Sequence, residues 1–259
     1  MRVVFEGGGV KKHYYNENFP HAAAWLRKLI AAGHIPDGDV DERSITDVAA
    51  TDLTGYTQCH FFAGIGGWPL ALRLAGWPED REVWTGSCPC QPYSTASTAH
   101  GGAKGQSDSR HLWPKFDSLI AKRKPAIVIG EQVESAIGWA WWDEVALDLE
   151  AEGYACAAVV LRADLFGADH QRKRLLWVAD AGGEGWEGHQ QDISISGGKV
   201  EAFTEHGNPF ADARRALDGD YSHLLPCDGL SVSLERLATH GYGNAIVPQV
   251  AQAFIESVM

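Results

Sequence analysis

The loop at residues 85–94 reads TGSCPCQPYS and places one cysteine, Cys90, between two prolines. Val83 and Trp84 before it are typical of the end of a buried strand. Because proline lacks a backbone donor and interrupts both helix and sheet, the prolines around Cys90 predict a stiff loop at the carboxyl end of that strand. Open α/β sheets place their chemistry at this end of their strands.

A thiol in this loop could serve as a nucleophile, a metal ligand, half of a disulfide or packing. Cys88 lies only two positions before Cys90, which is closer than the C-x-x-C spacing of zinc and redox sites. Free cysteines are often small buried hydrophobes. Spacing alone therefore leaves both a nucleophile and a structural cysteine open for Cys90.

The composition narrows the class of protein. The chain has 259 residues, of which 45% are hydrophobic and 22% charged, and this predicts one globular domain with ample core. We expect no membrane span and no signal peptide, and five cysteines, an odd number, fit a reducing cytoplasm. A formal net charge of −12 argues against a general nucleic-acid binder, so contact with DNA would depend on local basic clusters.

A second feature is a glycine-rich turn after a short apolar strand. Residues 58–62 predict the strand, residues 63–67, AGIGG, predict a tight turn, and Pro69 predicts the first turn of a helix. Such a turn leaves bare backbone N–H groups where a phosphate or a carboxylate can approach. Turns of this kind are common, so this pattern alone is a weak indication of function.

Two further patterns place polar side chains at the same end of the sheet. An uninterrupted apolar run at residues 126–129 leads to Glu131 and predicts an acid at the carboxyl rim, near Cys90. Residues 170–174, HQRKR, begin another strand in which alternate side chains share one face. We therefore expect His170, Arg172 and Arg174 to project together.

Taken in order, these motifs resemble those of the cytosine C5 DNA methyltransferases. The family's motifs are Phe-x-Gly-x-Gly, Pro-Cys-Gln-x-Phe-Ser, Glu-Asn-Val, Gln-x-Arg-x-Arg and Gly-Asn-Ala-Val-Pro, and they are similar to residues 62–67, 89–94, 131–133, 170–174 and 241–249. Gln132 stands in place of the usual Asn and His170 in place of Gln, and one extra apolar residue separates Asn244 from Pro248. Agreement of five motifs in family order argues against chance.

The resemblance implies a fold and a reaction. The fold is the Rossmann-like α/β sheet of S-adenosylmethionine-dependent methyltransferases, and the enzyme transfers a methyl group to C5 of a cytosine flipped out of DNA. Cys90 would attack C6, Glu131 would stabilise the N3 side of the ring, and Arg172 and Arg174 would contact the base carbonyl and the phosphate backbone. The size suggests a compact, phage-like or orphan member that acts as a cytoplasmic monomer, in the host cytoplasm if viral, without a metal.

The remaining predicted site residues follow from the same resemblance. The donor would be bound by residues in or beside the cofactor motifs, namely Phe62, Ala63, Gly64, Ile65, Gly66, Gly67, Trp77, Asp80, Pro89, Asn244 and Ala245. Trp77 is the candidate to stack on adenine and Asp80 the candidate to hold the ribose, with core and surface as the respective alternatives. Gln91, Ser94 and His170 are predicted to bind the substrate.

The spacing between the first two motifs departs from the family. Only 22 residues, 68–89, separate Gly67 from Cys90. The family places two further strand units there, which carry the acid that binds the ribose and the residues around adenine. We therefore expect a sheet that is trimmed at one edge, with the N-terminal segment as the alternative source of the missing part.

Four segments are predicted along the chain. Residues 1–56 form an N-terminal helical extension with an exposed start to about Tyr15 and a polar connector near its end, and residues 57–180 form the catalytic α/β core. Residues 181–235, rich in glycine and poor in apolar runs, form a very small target-recognition region. Residues 236–259 form a C-terminal helix that returns to the core.

Two other functions remain open from the sequence. The first keeps the cysteine chemistry but acts on RNA or uses an altered one-carbon donor, because the ribose and adenine motifs are missing from their usual place. The second is a catalytically inactive DNA-binding relative, which the small recognition region would suit.

Overall fold

A single seven-stranded sheet organises the computed structural model, which describes residues 13–89, 112–135, 140–166, 172–182 and 246–259. The strands in chain order are β1 (His13–Asn16), β2 (Gly38–Asp41), β3 (Gln58–Phe61), β4 (Val83–Gly86), β5 (Ile127–Val133), β6 (Ala155–Arg162) and β7 (Lys173–Asp180). Their order across the sheet is β2-β1-β3-β4-β5-β7-β6. The predicted α/β fold class is confirmed.

Helices cover both faces of this sheet. Among the described residues they are α1 (Pro20–Ala31), α2 (Gly67–Leu74), α3 (Trp113–Arg123), α4 (Trp141–Ala151) and α5 (Pro248–Ser257). On one face α3 and α4 bury large aromatic side chains, such as Trp113 and Trp141, against β3, β4 and β7. On the other face α2 and α5 bury Trp68 and Phe254 against β5 and β7, while α1 covers β1. The result is a three-layer α/β/α arrangement.

Strand β7 is the antiparallel member of the sheet. Strands β1 to β5 run parallel, whereas β7 runs antiparallel to both β5 and β6. The connection from β6 to β7, residues 163–172, is shorter than the dozen or more residues that a parallel crossover needs. The N–H of Ala163 donates to the carbonyl of Arg172 across it, at 3.0 Å. The start of β7 therefore lies at the carboxyl end of β5.

The N-terminal edge of the sheet corrects two predictions, the trimmed sheet and the exposed start to about Tyr15. Strand β1 pairs with β3 on one side and with β2 on the other, so the sheet is not trimmed. The two strands at this edge come from before the glycine turn in the chain. The sequences HYYN and GDVD did not predict strands because they carry neither an apolar run nor an alternation. His13 and Asn16 are nevertheless buried, covered by the neighbouring strands and helices.

Other element boundaries differ less from the prediction. Strand β5 continues through Val133 because it pairs with β7 along its whole length. Helix α3 begins at Trp113, with a proline in its first turn, and α5 begins at Pro248. The connector before β3 contains two short 3-10 turns, Ile45–Asp47 and Ala50–Leu53. No helix in the described ranges combines the length and apolar character needed to cross a membrane.

Candidate active site

Four polar side chains and the glycine turn lie at the carboxyl end of the parallel strands. Glu17 follows β1, the glycine turn follows β3, Ser87 follows β4, Glu131 lies near the end of β5, and Arg174 lies near the start of β7. This is the end of an open α/β sheet at which ligands bind. The site can therefore be built from these five positions.

Glu131 is the buried carboxylate of this site, with 7% of its surface exposed. The Arg174 Nε lies 2.5 Å from Glu131 Oε1, and the Ser87 hydroxyl donates to the same carboxylate. Burial raises the pKa of Glu131, and this effect is opposed by the charges of Arg174 and Arg172 and by hydrogen bonds from Arg174 and Ser87. A buried carboxyl group with a raised pKa can hold a proton for donation to a ligand.

The face shared by Arg172 and Arg174 agrees with the prediction from their alternation. The positive charges of both guanidinium groups lower the pKa of Glu131. Glu131 lies opposite Leu176 of β7, which is two positions after Arg174 and therefore on the same face of the strand. Lys173, between them, points the other way and forms an ion pair of 3.1 Å with Glu134, with both side chains about two-fifths exposed. Glu131 and Glu134 therefore occupy distinct environments although they are three positions apart.

The chain leading to Cys90 is held against β5. The Gln132 side chain is 1% exposed, and its Nε2 donates to the Cys88 carbonyl at 3.3 Å. Burial raises the pKa of the Cys88 and Cys59 thiols, and it raises that of Cys156 to about 12. These three cysteines are therefore protonated at neutral pH and are poor nucleophiles.

The glycine turn after β3 has the open backbone expected of a ligand-binding turn. Gly64 and Gly66 have φ angles of 55° and 85°, in the left-handed region that glycine tolerates. Within the described part of the chain, a Cβ at Gly64 would meet only the Phe62 carbonyl oxygen, 3.9 Å away, so these residues leave space beside this backbone. Ala63 is buried, and its N–H donates to the Asn16 carbonyl at 3.0 Å, which ties the turn to β1.

Glu17 is a site residue that the sequence analysis missed. Its Oε2 accepts a hydrogen bond from the Gly64 N–H at 2.7 Å, and its Oε1 accepts one from the Phe19 N–H at 2.8 Å. Its carboxylate thus stands at the end of the strand beside the glycine turn, where the family resemblance implies an acid for the ribose. The available signal was an acid directly after the short run HYYN. The sequence predicts an exposed start there, and an acid in an exposed start has no evident role.

The segment before α5 lies against the same turn. A Cβ on Gly67 would stand 2.6 Å from Ile246 Cγ1, so a side chain at that glycine would displace the segment. Ile246, within the last of the five motifs, therefore packs beside the glycine turn. Asn244 and Ala245, the donor-binding candidates of that motif, lie outside the described residues.

Trp77 and Asp80 lie at the opposite end of the sheet, so their predicted roles in donor binding are wrong. Helix α2 runs back along the sheet, and residues 75–82 join it to the first residue of β4. Trp77 is buried and its Nε1 donates to the Arg81 carbonyl at 3.2 Å, while Gln58, the first residue of β3, donates to the same carbonyl. Trp77 is therefore a core residue of the amino end, and Asp80 belongs to its surface loop.

Several predicted site residues are not tested by this geometry. Cys90, Gln91, Ser94 and His170 lie outside the described residues. Phe62, Ile65 and Pro89 are partly exposed at the carboxyl end, with no contact that assigns a role. Their roles remain predictions.

The sequence matches a known family over more than half of its length. Residues 76–208 match the model of the C-5 cytosine-specific DNA methylase family, a span that includes Cys90, Glu131, Arg172 and Arg174. The chain belongs to this family. The Type II methyltransferase M.AplI of Arthrospira platensis is 32% identical over 100 residues, which cover 38% of this chain and 28% of that protein. The chain thus corresponds to less than a third of the length of this curated relative.

Solved structures with a similar fold have low sequence identity to the chain. A mutant of DNMT2 from Spodoptera frugiperda has a TM-score of 0.43 and 12% identity, over 70% of this chain and 53% of that one. EhMeth of Entamoeba histolytica has a TM-score of 0.42 and 12% identity, over 77% and 62%. Dnmt2 of S. pombe has a TM-score of 0.42 and 14% identity, over 74% and 58%.

Proposed function

We propose that this protein is a DNA cytosine-5 methyltransferase that uses S-adenosylmethionine and a covalent bond between Cys90 and C6 of the cytosine. One observation carries the proposal: Glu131 is a buried carboxyl group, raised in pKa and flanked by Arg174, at the sheet end toward which the loop of Cys90 leads. A buried acid beside two arginines costs stability, and such a cost is typical of a functional site.

The residues at the carboxyl end suit the chemistry of S-adenosylmethionine. The donor has a ribose with two hydroxyl groups, an amino-acid end with a carboxylate, and a sulfonium. The Glu17 carboxylate would accept hydrogen bonds from the ribose hydroxyls, and the open backbone at Gly64 would let the amino-acid end approach. When bound, the donor supplies an electrophilic methyl group whose sulfonium leaves as a neutral thioether.

The chain's own residues would then carry the cytosine through the reaction. The Cys90 sulfur forms a bond to C6, and the electron pair of the C5–C6 double bond moves into the ring. Glu131 donates a hydrogen bond or a proton at N3 and so stabilises this charge, and Arg172 and Arg174 orient the base. C5 takes the methyl group and loses its proton to water, a proton taken up at N3 returns to Glu131, and the C6–S bond breaks to return Cys90 as a thiolate.

The N-terminal strands weaken the alternative of an altered donor. That alternative was motivated by the absence of the ribose and adenine motifs between Gly67 and Cys90. Strands β1 and β2 complete that edge of the sheet, and Glu17 provides an acid beside the glycine turn.

The test is mass analysis of nucleosides after incubation with methyl-labelled S-adenosylmethionine. DNA of mixed sequence and RNA of mixed sequence are incubated in parallel, with the wild-type protein, Cys90→Ala and Cys88→Ala. We expect labelled 5-methylcytosine in DNA from the wild type and from Cys88→Ala, and none from Cys90→Ala. Loss of at least about 10³-fold is expected for removal of a nucleophile.

Three outcomes would contradict parts of the proposal. Label in RNA alone would replace the substrate, and retained turnover in Cys90→Ala would remove the proposed nucleophile. A wild-type protein that binds DNA without labelling either nucleic acid would favour the inactive DNA-binding relative.

A further inference from the structure

A hydrogen-bonded chain joins the helix behind the glycine turn to the Glu131 carboxylate. Trp68 lies in the first turn of α2, directly after the glycines, and is 3% exposed. Its Nε1 donates to the Ser87 Oγ at 2.9 Å. Ser87 is the first residue after β4, and the β4–β5 register pairs Gly86 with Gly130, so Ser87 lies beside Glu131.

The direction of these bonds follows from the chemistry of the groups. An indole N–H can only donate, so Ser87 must accept from Trp68 with a lone pair. The hydroxyl proton of Ser87 is then available to Glu131, and Ser87 donates it there. Each bond restrains the next group. Trp68 holds the rotamer of Ser87, and the carboxylate of Glu131 is then held between Ser87 on one side and Arg174 on the other.

We propose that Ser87 and Trp68 are positioning residues for Glu131, and that they connect the donor-binding turn to the carboxyl group that acts on the base. This inference rests on the proposed function, since it concerns the orientation of the Glu131 carboxyl group in that reaction. It adds two residues that lie outside the catalytic motifs. Neither touches the substrate; both act through Glu131.

Arg174 in β7 and Arg172, the residue before β7, face Glu131 from one side, and Ser87, the residue after β4, faces it from the other. Each of the three lowers the pKa of this buried carboxyl, so loss of the Ser87 hydroxyl should raise it further. If Glu131 acts as a hydrogen-bond or proton donor, kcat falls as pH rises through its pKa. Removal of Ser87 should therefore lower the plateau of kcat and move this alkaline limb to higher pH.

The test measures kcat, KM and the pH profile of DNA methylation in Ser87→Ala, Trp68→Phe and the double variant. We expect Ser87→Ala to lower kcat by about tenfold, the effect of one hydrogen bond to a charged group, with little change in KM. Trp68→Phe should lower kcat by about threefold with the same direction of pH shift, because it releases Ser87 without removing it. The double variant should behave as Ser87→Ala alone, because Trp68 acts through Ser87.

Ser87→Thr and Trp77→Phe are the matched controls. Ser87→Thr keeps the hydroxyl and should retain much of the wild-type kcat and the wild-type alkaline pH limb. Trp77 is also a buried tryptophan beneath α2, but its Nε1 donates to Arg81 at the other end of the sheet. Trp77→Phe should therefore leave the pH limb in place, whereas a general loss of packing would affect both tryptophan variants alike.

The inference and the proposed function fail separately. An active wild type with an unchanged pH limb in Ser87→Ala, or with additive effects in the double variant, would overturn the inference alone. If the wild type were inactive, the Glu131 carboxyl band could still be assigned in infrared spectra by its loss in Glu131→Gln. Its titration should move to higher pH in Ser87→Ala, and an unmoved titration would overturn the inference without any use of activity.

Discussion

The two ends of the sheet carry similar residue types but have different roles, since one is packed and the other forms the candidate site. At the amino end, Trp77, Arg81 and Gln58 interact with one another. The Arg81 guanidinium lies 4.0 Å from the Trp77 ring centroid, and the side chains of Trp77 and Gln58 donate hydrogen bonds to the Arg81 carbonyl. At the carboxyl end, Glu17 and Glu131 are held by donors from neighbouring elements beside open backbone. A tryptophan or an acid near a glycine motif therefore acquires its role from the end of the strand at which it lies.

The largest expected contrast concerns the two acids of one segment, Glu131 and Glu134. Glu131→Gln removes the proton donor of the buried site and should lower kcat by about 10²- to 10⁴-fold. Glu134→Gln loses only a surface ion pair with Lys173 and should change kcat by less than about twofold. Steady-state methylation of DNA by the two variants measures the contrast. Equal losses would mean that burial at the carboxyl end does not select the catalytic acid.

A substitution at the amino end should affect stability alone. Trp77→Ala opens a cavity among Trp68, Leu72 and Val83 and should lower the free energy of unfolding by about 3 to 5 kcal/mol. Urea unfolding measures this loss. The folded variant should keep the wild-type affinity for S-adenosylmethionine, determined by calorimetry below the unfolding transition. A weakened affinity at full folding would return Trp77 to the donor site.

The acids at the two ends give the matching comparison for donor binding. Glu17→Gln removes the charge but keeps one acceptor oxygen, and it should raise the Kd for S-adenosylmethionine about 10- to 100-fold. Asp80→Asn makes the same change at the amino end and should leave Kd within about twofold. The comparison is sharpened if S-adenosylhomocysteine, which has the same ribose, shows the same ratio. An effect of Asp80→Asn as large as that of Glu17→Gln would contradict the assignment.

Between the two ends, His60 should make stability depend on pH. Its ring is fully buried against Tyr15 and His13, with Nδ1 2.8 Å from Thr85 Oγ1, and burial holds its pKa well below the usual value. Above about pH 6.5 both folded and unfolded His60 are neutral, so it contributes no pH dependence. Below that pH the unfolded chain binds a proton that folded His60 does not, so stability falls by up to about 1.4 kcal/mol per pH unit.

Chemical unfolding between about pH 5 and pH 7.5 measures this slope. His60→Asn should reduce it, whereas His34→Asn, at an exposed position, should leave it as in the wild type. An unchanged slope in His60→Asn would show that the buried ring is protonated in the folded state.

The middle of the sheet was predictable and its N-terminal edge was not. Strands β3 to β7 carry apolar runs or adjoin glycine turns and prolines, which are signals that a sequence pattern can report. Strands β1 and β2 carry no such signal, and their burial comes from partners distant in sequence. Glu17 was not predicted for the same reason, because an acid after an unpredicted strand has the pattern of a polar surface.

By itself the sequence determined the α/β class, the family, the order of its motifs and the choice of Cys90, Glu131, Arg172 and Arg174 as candidates, since these depend on local patterns along the chain. Only the tertiary structure decided which end of the sheet each polar residue occupies. It placed Trp77 and Asp80 away from the site, brought Glu17 to the glycine turn, and linked Trp68 to Glu131 through Ser87. The physical reason is that parallel strands bring together residues far apart in sequence, and no local pattern records which strands become neighbours.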